Sequence, residues 1–135
     1  MNKKKISVLF VLLIIMGISI FNFVFAYSAN YNSSLPAGGG HVTLCQTTKE
    51  NSKSRARNYC SYYTNCNNGW DWRWWVDDVT TGVQVTSKQT VGSIGYHTLS
   101  YKTLPSAGDA VRARGSTNGL LTAAVSTTGT VNFDY

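Results

Sequence analysis

Every tryptophan of this 135-residue chain falls within one ten-residue run, Gly69–Asp78, which reads G-W-D-W-R-W-W-V-D-D. Trp70, Trp72, Trp74 and Val76 alternate with Asp71, Arg73, Trp75 and Asp77. Strict two-residue alternation is the period of a half-buried β-strand, and tryptophan and valine suit a pleated surface. Same-face neighbours on a strand sit about 6.6–6.8 Å apart, so three alternate rings make a stripe roughly 13 Å long. Large aromatics are mostly buried, which assigns Trp72 and Trp74 to a core. The competing arrangement exposes Trp70, Trp72 and Trp74 as a carbohydrate-binding platform. Trp70, at the strand entrance, and Trp75, on the polar face with Asp71, Arg73 and Asp77, are expected at the surface as contact residues.

The rest of the chain is constrained first by its N-terminal segment. Lys3, Lys4 and Lys5 precede an almost wholly apolar run, Ile6–Phe25, and Val24-Phe25-Ala26 suits signal-peptide cleavage. Residues 1–26 therefore read as a cleaved secretory signal peptide. The second option is an uncleaved membrane anchor, because the run approaches the ~20 residues that span a bilayer. Cleavage leaves 109 residues, enough for one small domain. It also lowers the formal charge from +6 to +3, a balance too mild to imply a nucleic-acid partner. Cys45, Cys60 and Cys66 in an exported chain imply one disulfide, Cys60 with Cys45 or with Cys66, and one remaining thiol. No C-x-x-C pair is present, so no zinc site is expected, and nothing calls for a cofactor.

Residues 27–40, with Pro36 and Gly38-Gly39-Gly40, read as a flexible lead-in to a domain over 41–135. Strand patterns follow at 41–48, 54–64, 70–77, 83–91, 96–102, 110–115, 120–127 and 130–135. Asn68-Gly69 and Asn118-Gly119 are hairpin-turn dipeptides. About eight short strands with turns between them imply an all-β antiparallel β-sandwich.

The chemistry-bearing residues are sparse. Asp77 and Asp78 are strand neighbours and face opposite ways, a poor geometry for a catalytic pair. Both fit a strand end before the turn at Thr80-Thr81-Gly82. A free cysteine with His97 is the other nucleophile arrangement to consider, and oxidation of exported cysteines argues against it. Neither an H-E-x-x-H nor a G-x-S-x-G pattern occurs. The basic residues Lys49, Lys53, Arg55 and Arg57 cluster near one turn, and Arg112 and Arg114 share a strand face. Such groups either form a solvated surface or contact phosphate and carboxylate groups.

The string Leu99-Ser100-Tyr101-Lys102, then Gly108, then Val111-Arg112-Ala113-Arg114, resembles small secreted β-sandwich proteins of Gram-positive bacteria whose function is uncharacterised. Their mid-chain aromatic strand corresponds to Trp74-Trp75-Val76. The chain departs from them in its three cysteines and in Asn132-Phe133. It is similar, more distantly, to lactococcin 972-type bacteriocins, and that resemblance implies binding of a cell-wall precursor. The expected activity is that of a secreted, non-enzymatic binding protein at a bacterial surface, and the resemblance to lactococcin 972-type proteins implies a bacteriocin-like variant of it. Its partner would be an envelope polysaccharide, wall precursor or anionic lipid, met by Trp70, Trp75, Arg73, Arg55 and Arg57. The alternatives are a carbohydrate-binding module using the tryptophan stripe and a small secreted hydrolase.

Overall fold

The structure, a computed structural model, describes residues 28–64, 72–120 and 122–135. The leader, Cys66 and Trp70 lie outside the described residues. The described strands are β1 (Ser28–Leu35), β2 (His41–Thr48), β3 (Arg55–Tyr63), β4 (Trp72–Asp78), β5 (Val83–Gln84), β6 (Gln89–Val91), β7 (Gly95–Ser100), β8 (Ala110–Ser116) and β9 (Val125–Asn132). They form two antiparallel sheets. Sheet A has the order β1-β9-β3-β7, and sheet B has the order β2-β8-β4-β5, with β6 also paired to β4. Counting β5 and β6 as one interrupted strand, these are the two sheets of an eight-stranded jelly roll, a β-sandwich built from Greek keys.

The space between the sheets is filled from the alternate positions of each strand. β4 sends Trp72, Trp74 and Val76 inward, all with no exposed surface. They meet Tyr31 and Leu35 from β1, Ala56 and Cys60 from β3, Val111 and Ala113 from β8, and Val125 and Val131 from β9. The Tyr31 ring meets Trp72 edge-on at 6.4 Å. Gly115 lies opposite Trp74 in the β4–β8 register. A Cβ there would come within 2.9 Å of both Leu35 and Leu44, so the missing side chain is what admits the two leucines.

Four segments differ from the sequence expectation. Residues 28–35 are not a flexible lead-in: they pair with β9 at eight successive positions. Only Tyr31 and Leu35 are large and apolar in this strand, so its alternation is hidden among serines and asparagines. The expected strands at 120–127 and 130–135 merge into β9, which runs through Gly129 without a turn. A Cβ at Gly129 would lie 2.5 Å from the Tyr31 hydroxyl and 2.2 Å from the Tyr59 carbonyl oxygen. Gly129 thus opens a passage in which the Tyr31 hydroxyl reaches Asn58 Oδ1 at 2.9 Å. The expected 83–91 strand is broken because Thr86 turns inward and its hydroxyl accepts the Val76 N–H at 2.9 Å, taking the place of a ladder bond. Finally, Asn118-Gly119 joins strands of different sheets. Thr117 beside it bonds the Pro36 carbonyl and the Gly39 N–H, locking two crossovers together.

Lys49 is the largest departure. Expected in a basic surface cluster, either solvated or in contact with anionic groups, it is fully buried. Its ammonium donates to Asp134 Oδ1 at 2.6 Å, to the Lys53 carbonyl at 2.9 Å and to the Phe133 carbonyl at 3.0 Å. All three of its donors are therefore satisfied. Asp134 Oδ2 accepts the Glu50 N–H at 3.0 Å, and the Tyr101 ring lies 4.8 Å from the ammonium. The pair ties the end of β2, the start of β3 and the chain's last residues into one knot. Asn132 Oδ1 accepts the Asp134 N–H at 2.8 Å, and this turn ends the strand alternation. As a result Phe133 is buried and Tyr135 points outward, whereas continued strand alternation would put both on one face.

Trp74→Ala should destabilise the domain by ~3–5 kcal/mol, a large share of the ~5–15 kcal/mol typical of such a fold. Lys49→Ala strands a buried carboxylate and should cost a comparable ~3–5 kcal/mol, whereas Lys49→Met with Asp134→Leu should recover most of that loss. Denaturant titration of the four proteins measures both expectations. Equal losses in the single and double Lys49 variants would show that the charge pair is not the origin of the effect.

Candidate functional site

The outward face of sheet A presents a polar and aromatic surface assembled from four strands. The antiparallel registers align Asn30, Thr130, Tyr59 and Tyr96 in one row, and Ser28, Asn132, Arg57 and Thr98 in the next. Two adjoining depressions lie along these rows. One, of about 450 Å³, is lined by residues including Asn30, Asn32, Tyr59, Ser61 and Thr128. The other, of about 260 Å³, is lined by Ser28, Arg57, Tyr59, Tyr96, Thr130 and Asn132. Tyr59 and Thr130 belong to both, so the depressions form one continuous surface.

The aromatic groups of this face are tyrosines. Tyr59, Tyr96 and Tyr135 are 40%, 66% and 43% exposed. The Tyr59 and Tyr96 rings lie 4.8 Å apart, tilted by 44°. The Arg57 guanidinium sits 4.5 Å from the Tyr96 ring centre and 3.8 Å from that of Tyr135. Cation–π attraction at both rings holds this side chain in place. Tyr135 is itself fixed by its N–H, which donates to the Arg55 carbonyl at 3.0 Å. Along β1, Thr130 donates to Asn30 Oδ1 at 2.8 Å and Thr128 to Asn32 Oδ1 at 3.4 Å. Each threonine engages the amide oxygen and leaves the amide nitrogen as a donor for a ligand.

The expected contact residues do not form one site. Arg55 and Arg57 lie on the outer face of sheet A, and Arg57 joins the tyrosine cluster. Arg73 and Trp75 lie on the outer face of sheet B, across the thickness of the sandwich. Trp75 does face away from Trp74, as alternation requires, but it is only 5% exposed and is not an exposed contact residue. His41 meets its ring edge-on at 6.0 Å, and the Lys88 ammonium lies 4.4 Å over it. Trp72 and Trp74 are buried, which removes the tryptophan stripe as a ligand platform. Tyr59, Tyr96, Tyr135, Asn30 and Asn32 were not among the expected residues. Alternation along 55–59 did carry a signal, since it places Arg55, Arg57 and Tyr59 on one face.

Among the described residues, the groups considered for catalysis are otherwise engaged or lie apart. Asp78 Oδ1 accepts the N–H groups of Thr80 and Thr81 at 2.8 and 3.2 Å, closing the turn after β4. Asp77 faces Arg112 and Arg114 on the other side of the sheet. Cys45 and Cys60 are free, buried thiols on strands of different sheets, so the Cys45–Cys60 disulfide alternative is not formed. Burial raises both thiols, Cys45 from 9.0 to about 12, which opposes thiolate formation. Cys60 lies 3.7 Å from the Thr127 hydroxyl, and His97 Nε2 lies 2.9 Å from the Ser93 carbonyl. Among the described residues, no group of three His, Cys, Asp or Glu side chains could hold a metal ion.

No protein-family profile matches the chain, and no curated protein matches it. Solved structures with similar folds include the VP2 subviral particle of infectious bursal disease virus, at 13% identity and a TM-score of 0.48. That match covers 78% of this chain and 31% of the viral one, so the chain spans about a third of that protein's length. Another is PirA, at 13% identity and a TM-score of 0.43, covering 83% of this chain and 99% of that one. Neither likeness carries a functional assignment to this chain.

Two solution measurements follow from the buried thiols and phenols. Cys45 and Cys60 should resist maleimide at pH 7.5 in the native protein and react fully once it is denatured. Stability should hold at neutral pH and fall as pH rises above ~9, where the unfolded chain's thiols begin to ionise. The sign follows from the direction of the shifts. Burial raises Cys45 and Cys60, and also Tyr31 and Tyr101, so each favours the folded state below its unfolded value. For Cys45 that contribution disappears between 9.0 and about 12. A melting temperature that is flat across this range would contradict the expectation.

Proposed function

We propose that the chain is a secreted, non-enzymatic binding protein that engages a cell-envelope polysaccharide through the outer face of sheet A. The observation that carries this reading is the continuous row of Asn30, Thr130, Tyr59 and Tyr96, with Arg57 held between Tyr96 and Tyr135. Sugars present apolar C–H faces that stack on aromatic rings. They also present hydroxyls, which both donate and accept hydrogen bonds. The face offers partly exposed rings for the first, and amides, threonine hydroxyls and a guanidinium for the second. Its open depressions suit an extended chain better than an enclosed small molecule. The exported, envelope-directed setting rests on the leader sequence and on the resemblance to secreted bacterial proteins. This reading retains the expected partner class while replacing the tryptophans with tyrosines as the aromatic contacts.

The test is retention of the purified mature protein on isolated bacterial wall polysaccharide. Tyr59→Ala and Tyr96→Ala should each weaken binding about tenfold, equivalent to ~1.4 kcal/mol. Because both side chains are well exposed, their melting temperatures should stay near that of the parent protein. Absence of retention on wall polysaccharide, or full retention by the Tyr59→Ala/Tyr96→Ala double variant, would exclude the proposal.

A further inference from the structure

The opposite face of the sandwich carries a second surface of different chemistry. On the outer side of sheet B the registers set Arg73 opposite Ser116, Trp75 opposite Arg114, and Asp77 opposite Arg112. Lys88 joins this face over the Trp75 ring. Among the described residues, three arginines and a lysine therefore share it with one carboxylate from β4, that of Asp77. Asp77 pairs with Arg112 and Arg114 but supplies one negative charge against four positive ones. Its Oδ2 lies 3.4 Å from Arg112 Nε and 3.9 Å from Arg114 Nε, both longer than the 2.7–2.9 Å of a strong charge-assisted bond. Arg114 Nε is buried and has no hydrogen-bond partner. One planar carboxylate is thus spread between two guanidinium forks and saturates neither.

From this arrangement we infer a second binding surface, on sheet B, for a linear polymer that carries repeated phosphate groups. Three features select that ligand. The arginines occupy successive rows on one face, about 6.6–6.8 Å apart, so the array extends roughly 13 Å. That span exceeds a single anion and fits successive charges along a chain. A tetrahedral phosphate has oxygens outside one plane and can accept from guanidiniums on adjacent rows, which Asp77 does not manage. The aromatic group of this face, Trp75, is 5% exposed and lies beneath Lys88, so it offers no ring for insertion into a bilayer. This surface is independent of the proposed polysaccharide site, which lies on the other sheet.

The probe is long-chain inorganic polyphosphate, titrated into the mature protein at low and at physiological salt. Binding should weaken as salt rises, because the contacts are ionic. Arg73→Gln alters an exposed side chain and should reduce affinity at least threefold without lowering the melting temperature. Arg112→Gln with Arg114→Gln should reduce it at least tenfold. Asp77→Asn removes the competing carboxylate and should raise affinity, a gain that misfolding would not produce. Tyr59→Ala should leave polyphosphate binding unchanged, which separates this surface from that on sheet A. Polyphosphate affinity that is absent, or unaffected by the three arginine substitutions, overturns the inference. Equal or tighter binding of polyglutamate or of vesicles of phosphatidylglycerol and phosphatidylcholine also overturns it, and assigns the face to that partner.

Discussion

The two sheets are held together chiefly by the side chains that β4 sends between them. Trp72 and Trp74 are the largest fully buried groups of the described chain, and the neighbouring strands are shaped around them. Gly115 gives up its side chain so that Leu35 and Leu44 can close over the same region. Gly129 does so on the other sheet for Tyr31, whose ring then meets Trp72. A core with two tryptophans in adjacent inward positions requires small partners opposite them, because interiors are close-packed and an overfilled site forces backbone shifts. The glycines are therefore part of the same packing solution as the tryptophans.

The Lys49–Asp134 pair closes one end of this seam by a different principle. Burying two charges is costly, and the cost is offset only when the remaining donors and acceptors are also met. Here the ammonium has three acceptors and the carboxylate also receives a backbone N–H, so the pair meets that condition. Its geometric consequence reaches the surface. Anchoring Asp134 ends the β9 alternation, buries Phe133 and turns Tyr135 outward against Arg57. The buried knot and the exposed tyrosine cluster are thus linked through two consecutive residues of the chain.

With tryptophan in the core, the two outer sheet faces of the described residues differ in chemistry. Sheet A presents tyrosine, asparagine and threonine with Arg55 and Arg57. Sheet B presents a lattice of arginines around a covered tryptophan. If both proposed surfaces bind their ligands, one rigid body carries two binding faces of different character. Linking two modest sites on one rigid body raises overall avidity without any new contact.

The sequence by itself determined the fold class and the inward face of β4. The alternation of Trp72, Trp74 and Val76 is a local property of the strand, and a large apolar side chain has only one favourable direction to point. Alternation also determined that Trp75 faces the other way, and that Arg112 and Arg114 share the face opposite Val111 and Ala113. Tertiary structure alone decided whether an outward residue is exposed. Trp75 is covered by His41 and Lys88, which are distant in sequence, and Lys49 is buried because residues 84 and 85 positions further along return to meet it. Strand 28–35 was hidden for a related reason: its serines and asparagines carry little periodic signal, and β9, a hundred residues away, supplies its partners. The tyrosine face was decided in the same way, because Tyr59, Tyr96 and Tyr135 become neighbours only when strand order brings separate segments side by side.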